Sequence, residues 1–200
     1  MGEVRGIGLT KEILIRLYTK LGKTDKEIAE FFDLDRTTIV HNRKRLGIEA
    51  RKNLGQIGEV LVISKLTQRG FKVQDMNEKD KTYLYDLKVN ERIRIEVKTS
   101  RLHEGKFSFS MSNKKEAECI LSEHRVLSPT GRTIKIYRKT CDFVIFVGLT
   151  PEKIHYFIVP SSFIEDGKTS IGFTPAVNHK YKQFENQWKL IHEEDKAAAN

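Results

Sequence analysis

The sequence predicts an α/β protein: a mixed sheet flanked by helices, preceded by a small all-α unit. Up to Gly47 the apolar residues recur only at three-and-four spacing, which is the period of helices. Between Phe71 and Val97 the period falls to two, and Ile93, Ile95 and Val97 alternate with Arg94, Glu96 and Lys98. Phe143 to Val147 is unbroken apolar sequence, as a strand covered on both faces requires. Two hundred residues are enough for one small and one medium domain, each with its own core. We place the boundary near Glu49 to Asn53, where the hydrophobic pattern lapses, giving units 1–50 and 54–192 and a polar, alanine-rich tail at 193–200 that is expected to be disordered.

Residues 1–9 carry Gly2, Gly6 and Gly8 without periodicity and read as an arm. Ile13, Leu14, Leu17, Tyr18 and Leu21 then mark a first helix stopped by Gly22. Thr24 and Glu27 form a capping box for a second, with Ile28, Ala29, Phe31 and Phe32 as its buried face. Asp35 caps a third from Arg36 to Leu46, and Gly47 ends it with Ile48 folding back. Helix, short turn and helix with Arg36, Thr37, Thr38, His41, Asn42 and Arg45 exposed on the last resembles the helix-turn-helix of bacterial DNA-binding proteins. In that arrangement the last helix reads the major groove, and Arg43, Lys44, Arg51 and Lys52 would contact phosphates. The alternative is a three-helix packing module with a solvated polar face.

A helix is expected from Leu54 to Gln68, with Ile57, Val60, Leu61, Ser64 and Leu66 along it and Gly70 as its stop. Glu59 lies among these apolar residues, and a shielded carboxylate needs a cationic partner, a metal or an arginine; an ordinary surface glutamate is the competing reading. After a strand from Phe71 and a polar turn at 76–81, Tyr83, Tyr85 and Leu87 share one face of a strand, which leaves Asp86 on the other. Pairing with the Ile93–Val97 strand brings Asp86 toward Glu96, and Lys98 lies beside Glu96. Two carboxylates and a lysine suit Mg²⁺-assisted phosphodiester hydrolysis, because Mg²⁺ takes hard oxygen ligands and commonly only one or two carboxylates. Glu-x-Lys is also frequent on half-exposed strands.

The order of these elements, with Gly58-Glu59, Gly70-Phe71, Asp86 and Glu96-Val97-Lys98-Thr99-Ser100, resembles the PD-(D/E)xK, or restriction-endonuclease-like, nuclease superfamily over roughly residues 54 to 160. The first motif departs from the common Pro-Asp, since this chain has Tyr85-Asp86. The resemblance implies Asp86, Glu96 and the Val97 carbonyl as metal ligands, with Mg²⁺ replaceable by Mn²⁺. It also implies Lys98 as the catalytic lysine and Glu59 as the helix carboxylate contacting metal-bound water. Expected on this ground is a sequence-specific endonuclease of the type II restriction kind, cutting double-stranded DNA as a homodimer and leaving 5′-phosphate. A homing endonuclease, a Holliday-junction resolvase and a non-catalytic DNA-binding regulator are the alternatives.

Downstream, Phe107, Phe109 and Met111 interleave with serines as a strand; Asn113 caps an expected helix to His124; Ser128–Gly131 is a turn; and Ile134 and Ile136 open another strand, with Tyr137 as its extension. The lysines and arginines of 101–140 would serve either DNA contacts or solubility. Ile154–Val159 should pair with the Phe143 strand, and a last helix is expected from Tyr181 to Ile191 with Phe184, Trp188 and Ile191 at helical spacing. The net charge of +9 favours a polyanionic partner, nucleic acid first. No apolar face long enough to lie on a membrane opposes the lysines, so no membrane partner is expected. Cys119 and Cys141 offer neither a disulfide framework nor zinc-ligand spacing. Without an apolar leader at Met1–Thr10 the expected location is cytoplasmic, including the nucleoid.

Overall fold

The computed structural model describes residues 9–78, 83–112, 123–129 and 131–197. The helix expected after Asn113 and part of the turn at Ser128–Gly131 lie outside them. The chain forms two compact units, Met1–Arg51 and Lys52–Asn200.

In the first unit, α1 (Lys11–Ile15) runs on into a π-helical turn, Arg16–Lys20, and is followed by α2 (Asp25–Phe31) and α3 (Arg36–Arg45). Each start is capped as its sequence dictates. Thr10 accepts from the Ile13 N–H, Thr24 and Glu27 complete the capping box, and Asp35 accepts from Thr37. Leu9, Leu14, Tyr18, Ile28, Ala29 and Ile39 form the core. Gly47, at φ +68°, ends α3, and the Ile48 N–H returns to Arg43 O at 2.9 Å. Phe31 departs from expectation. It is 80 % exposed and packs only the edge of its ring on Phe32, because α2 ends there and turns Phe32 inward instead.

The second unit is built on a five-stranded mixed sheet. Its strands are β1 (Val73–Asp75), β2 (Leu87–Val89), β3 (Ile93–Arg101), β7 (Phe143–Leu149) and β8 (Ile154–Pro160), in the order β1-β2-β3-β7-β8. Only β3 and β7 pair in parallel, from Ile95 opposite Phe143 to Arg101 opposite Leu149. Two short ribbons accompany the sheet: β4 (Phe107–Ser110) pairs with β9 (Ser170–Phe173), and β5 (Arg125–Leu127) with β6 (Thr133–Lys135). Between β2 and β3, Asn90 and Glu91 both have positive φ, the sign a primed hairpin turn needs, and Arg92 N–H closes the turn on Val89 O at 3.0 Å.

Because side chains alternate, the two faces of β7 feed two cores. Phe143, Ile145 and Val147 join Ile93, Ile95 and Val97 under α4 (Leu54–Thr67), with Val62 and Leu66 from the helix. Val144 and Phe146 join Phe107, Phe109, Tyr137 and Phe173 on the opposite face. Within α4, Gly58, Val62 and Leu66 are the buried positions, whereas Val60 is exposed. Tyr137 opens a short helix, α5 (Tyr137–Thr140), rather than extending β6.

The expected helix from Tyr181 to Ile191 is replaced by a 3₁₀ turn, Lys182–Phe184, and a separate α6 (Lys189–Ala197). Asn186 breaks the run with φ +56° while its N–H donates to Tyr156 O, and Glu185 bridges to Phe157, so the segment is drawn onto the edge of β8. Trp188 and Ile191 therefore enter the core under α4, and Phe184 packs against the other one. Residues 193–197, read as tail, are helical, and Asp195 binds Asn90 and Arg92.

Gly58 sets how closely α4 approaches the sheet. A Cβ there would lie 1.8 Å from Thr99 Oγ1 and 3.0 Å from Thr99 Cβ, so rotating the threonine cannot clear the clash and the helix must lift. Gly58→Ala is expected to destabilise the second unit by about 1–3 kcal/mol. A thermal melt of Gly58→Ala beside Gly58→Ala/Thr99→Ala checks this, since the second change should restore part of the loss.

Candidate active site

The site forms where β2 stops and β3 continues. The ladder ends at Leu87 opposite Ile95, and one residue earlier the Asp86 N–H still donates to Ile95 O at 3.0 Å. Beyond it the Asp86 side chain takes over the ladder's role: its Oδ2 accepts from the Val97 N–H at 2.8 Å. Sequence alternation sends Glu96 and Lys98 to the face of β3 opposite Val97, and there Glu96 is only 2 % exposed. Its two oxygens are divided between two ammonium groups, Oε1 to Lys98 Nζ and Oε2 to Lys135 Nζ, each at 2.8 Å. Lys135 comes from β6 and also donates to Leu84 O at 3.0 Å.

Burial is the largest influence on Glu96, Lys98 and Asp86. It raises Glu96, but the adjoining Lys98 and Lys135 outweigh it and hold that carboxyl below its usual range. Burial works against a charged Lys98 too, yet the attraction of Glu96 wins and keeps it protonated well above the ordinary lysine value. At Asp86 the same two lysines are outweighed. Burial, with the repulsion of Glu96 added, pushes it up to about 7 despite the Val97 N–H.

On the other side of Asp86 lies an open cleft of about 710 Å³, lined among others by Lys52, Gln56, Glu59, Asp75, Asn77 and Asp86. Glu59 is raised by burial first, and Asp75 and Glu96 add to the effect. Asn77 stands between the carboxyls, donating to Asp86 Oδ1 at 3.3 Å and easing Glu59. Acidic groups thus gather in one cleft of a chain whose net charge is +9.

Among the described residues no three His, Cys, Asp or Glu side chains are grouped to hold a metal ion. The donor chemistry fits a hard divalent cation nonetheless. Asp86 and Glu96 are oxygen donors whose mutual repulsion a cation would relieve, and Mg²⁺ retains waters and completes its shell with phosphate oxygens. The sequence does not mark Asn77, Asp75 or Lys135 as site residues. Asn77 lay in a polar turn and Lys135 in a basic stretch, and no spacing links either to Asp86.

The raised Asp86 gives a pH signature. Between about pH 4 and 7 the folded, metal-free protein holds a proton that the unfolded chain has released, so stability falls as pH rises through that window and levels off above 7. Melts in chelator at pH 5 and pH 8 should show this loss in wild type, and Asp86→Asn should shrink it.

In the first unit, Arg36, Thr37, His41, Lys44 and Arg45 are exposed along α3, and Thr38 is half-buried. Asn42 and Arg43, expected on that outer face, are not there. Asn42 is buried with its Nδ2 unpaired among the described residues. Arg43 is buried in a bidentate pair with Asp25, Nε–Oδ1 3.0 Å and Nη2–Oδ2 3.1 Å. It also donates to Ile48 O and lies over the Tyr18 ring. Among the phosphate contacts expected, Arg51 is exposed but its guanidinium donates to Gly22 O and Lys23 O, while Lys52 lines the cleft.

No family model matches the chain, and no curated protein matches it. Among solved structures it is similar to a bacterial homing endonuclease, I-Ssp6803I, with a TM-score of 0.56 over 74 % of this chain and 96 % of that one, at 14 % identity. That likeness is one of fold. No helix among the described residues is long and apolar enough to cross a membrane.

Proposed function

We propose that this protein is a Mg²⁺-dependent endonuclease that hydrolyses phosphodiester bonds of double-stranded DNA at specific sequences, with Mn²⁺ able to substitute. The observation that carries the reading is the convergence of Asp86, just ahead of β2, with Glu96 and Lys98 in the middle of β3, beside an open acidic cleft. Asp86 and Glu96 would hold the ion, with the Val97 carbonyl as a further ligand. When bound, it would polarise the scissile phosphate and favour deprotonation of the attacking water.

The chain's own groups have separate tasks. Glu96 holds Lys98 protonated in the metal-free site, and its ammonium would serve as hydrogen-bond donor and counter-charge to the phosphate. Glu59, half-buried on the cleft wall, would orient water there. Exposed Arg36, Thr37, His41, Lys44 and Arg45 give α3 the donors and acceptors for base edges and phosphates. Cutting both strands needs two such sites, which a twofold homodimer supplies.

The structural neighbour is a homing endonuclease, and restriction and homing enzymes demand the same chemistry of this site. A non-catalytic regulator, by contrast, gains nothing from a buried carboxylate pair that repels itself. Incubation of long duplex DNA with Mg²⁺ tests the reading. Discrete fragments are expected; a smear would remove sequence specificity, and intact DNA would remove the nuclease.

A further inference from the structure

We infer that Lys135 is a positioning residue of this site: it locks Glu96 to the segment that carries Asp86, and so leaves Lys98 as the lysine that meets substrate. The inference deepens the hydrolytic reading and rests on it for the catalytic consequence. Two lysines share one carboxylate at equal distance, yet their surroundings differ. Lys135 Nζ spends one N–H on Glu96 Oε2 and a second on Leu84 O, and its side chain is 14 % exposed. Lys98 is 25 % exposed and, among the described residues, has only the Glu96 carboxylate as partner. An ammonium has three donors, so Lys98 keeps two for a substrate phosphate while Lys135 keeps one.

Leu84 lies two residues before Asp86, in a stretch that belongs to no ladder. The Lys135–Leu84 bond therefore fixes that stretch from outside the sheet. Lys135 is itself held firmly. Its neighbour Ile134 is buried, pairs with Val126 and bridges to Ser112, and Tyr137 Oη donates to Met111 O at 3.1 Å just beyond.

Charge accounting points the same way. Glu96 is 2 % exposed and carries one ammonium on each oxygen, so without Lys135 its charge would rest on Lys98 alone. When Lys98 turns toward a phosphate, Glu96 retains an ion-pair partner and stays in place.

The test compares wild type, Lys135→Met, Lys135→Arg and Lys98→Met in two measurements. In Mg²⁺-dependent duplex cleavage, Lys135→Met should lower kcat about 10–100-fold with little change in KM, as loss of an outer supporting contact does. Lys135→Arg should recover most of that rate, because a guanidinium can still reach two acceptors. In amide hydrogen exchange of the metal-free protein, Lys135→Met should speed exchange at Leu84–Asp86, while Lys98→Met should leave it near wild type. A wild-type rate in Lys135→Met, a change confined to KM, arginine no better than methionine, or unchanged exchange at Leu84–Asp86 would each overturn the inference. If wild type cuts nothing, the hydrolytic reading fails by itself, and the exchange arm still decides whether Lys135 ties the Leu84 stretch to Glu96. Should Lys135→Met not fold, Lys135→Gln carries the same comparison.

Discussion

Lys98→Met is expected to bind duplex DNA nearly as well as wild type and to cut it about 10²–10³-fold more slowly, the usual cost of removing one preorganised donor from a developing charge. Methionine keeps most of the stem's bulk, so packing on β3 survives. Glu96 loses its Oε1 partner but keeps Lys135 on Oε2, which is why the fold is expected to hold. Single-turnover cleavage beside a melt and a binding isotherm separates the outcomes. A rate within a few-fold of wild type would mean that Lys98 only balances the charge of Glu96.

Arg43→Met should be the most damaging change in the first unit. Arg43 is 4 % exposed and forms both bonds of its fork with Asp25, so its removal strands a largely buried carboxylate. Breaking such a pair costs about 3–5 kcal/mol. A unit of 51 residues has roughly that much stability in total, at about 0.05–0.15 kcal/mol per residue. Loss of its helical signal at 25 °C is therefore expected, and DNA affinity would fall with it. Lys44→Met, on the exposed face, should leave the melt within about 0.5 kcal/mol and instead lower the salt dependence of DNA binding by about one ion. Equal melts for the two variants would contradict the burial of Arg43.

Those two residues also show how the sequence can mislead. From Ile39, spacing of three, four and seven leads to Asn42, Arg43 and Leu46, so periodicity alone assigns Asn42 and Arg43 to the inner face. Their polarity argued for the outer face, and the partner that makes burial tolerable, Asp25, lies 18 residues away. Phe31 is the converse, an apolar residue at the end of a helix left 80 % exposed. Strands β3 and β7 were legible because alternation and an unbroken apolar run translate directly into one-sided and two-sided burial. The approach of Asp86 to the strand that carries Glu96 and Lys98 was legible for the same reason, two alternating segments and a tight turn. Asn77 and Lys135 reach the site from separate segments, and the break at Asn186 depends on a hydrogen bond to Tyr156, so local sequence holds no sign of any of them.

Cleavage of supercoiled plasmid by wild type and Asp86→Asn, each in Mg²⁺ and in excess chelator, addresses the central proposal most directly. Wild type should cut only with Mg²⁺, and Asp86→Asn should not cut in either condition. Cutting that persists in chelator, or that survives Asp86→Asn in Mg²⁺, would contradict a metal-dependent hydrolytic site at the end of β2.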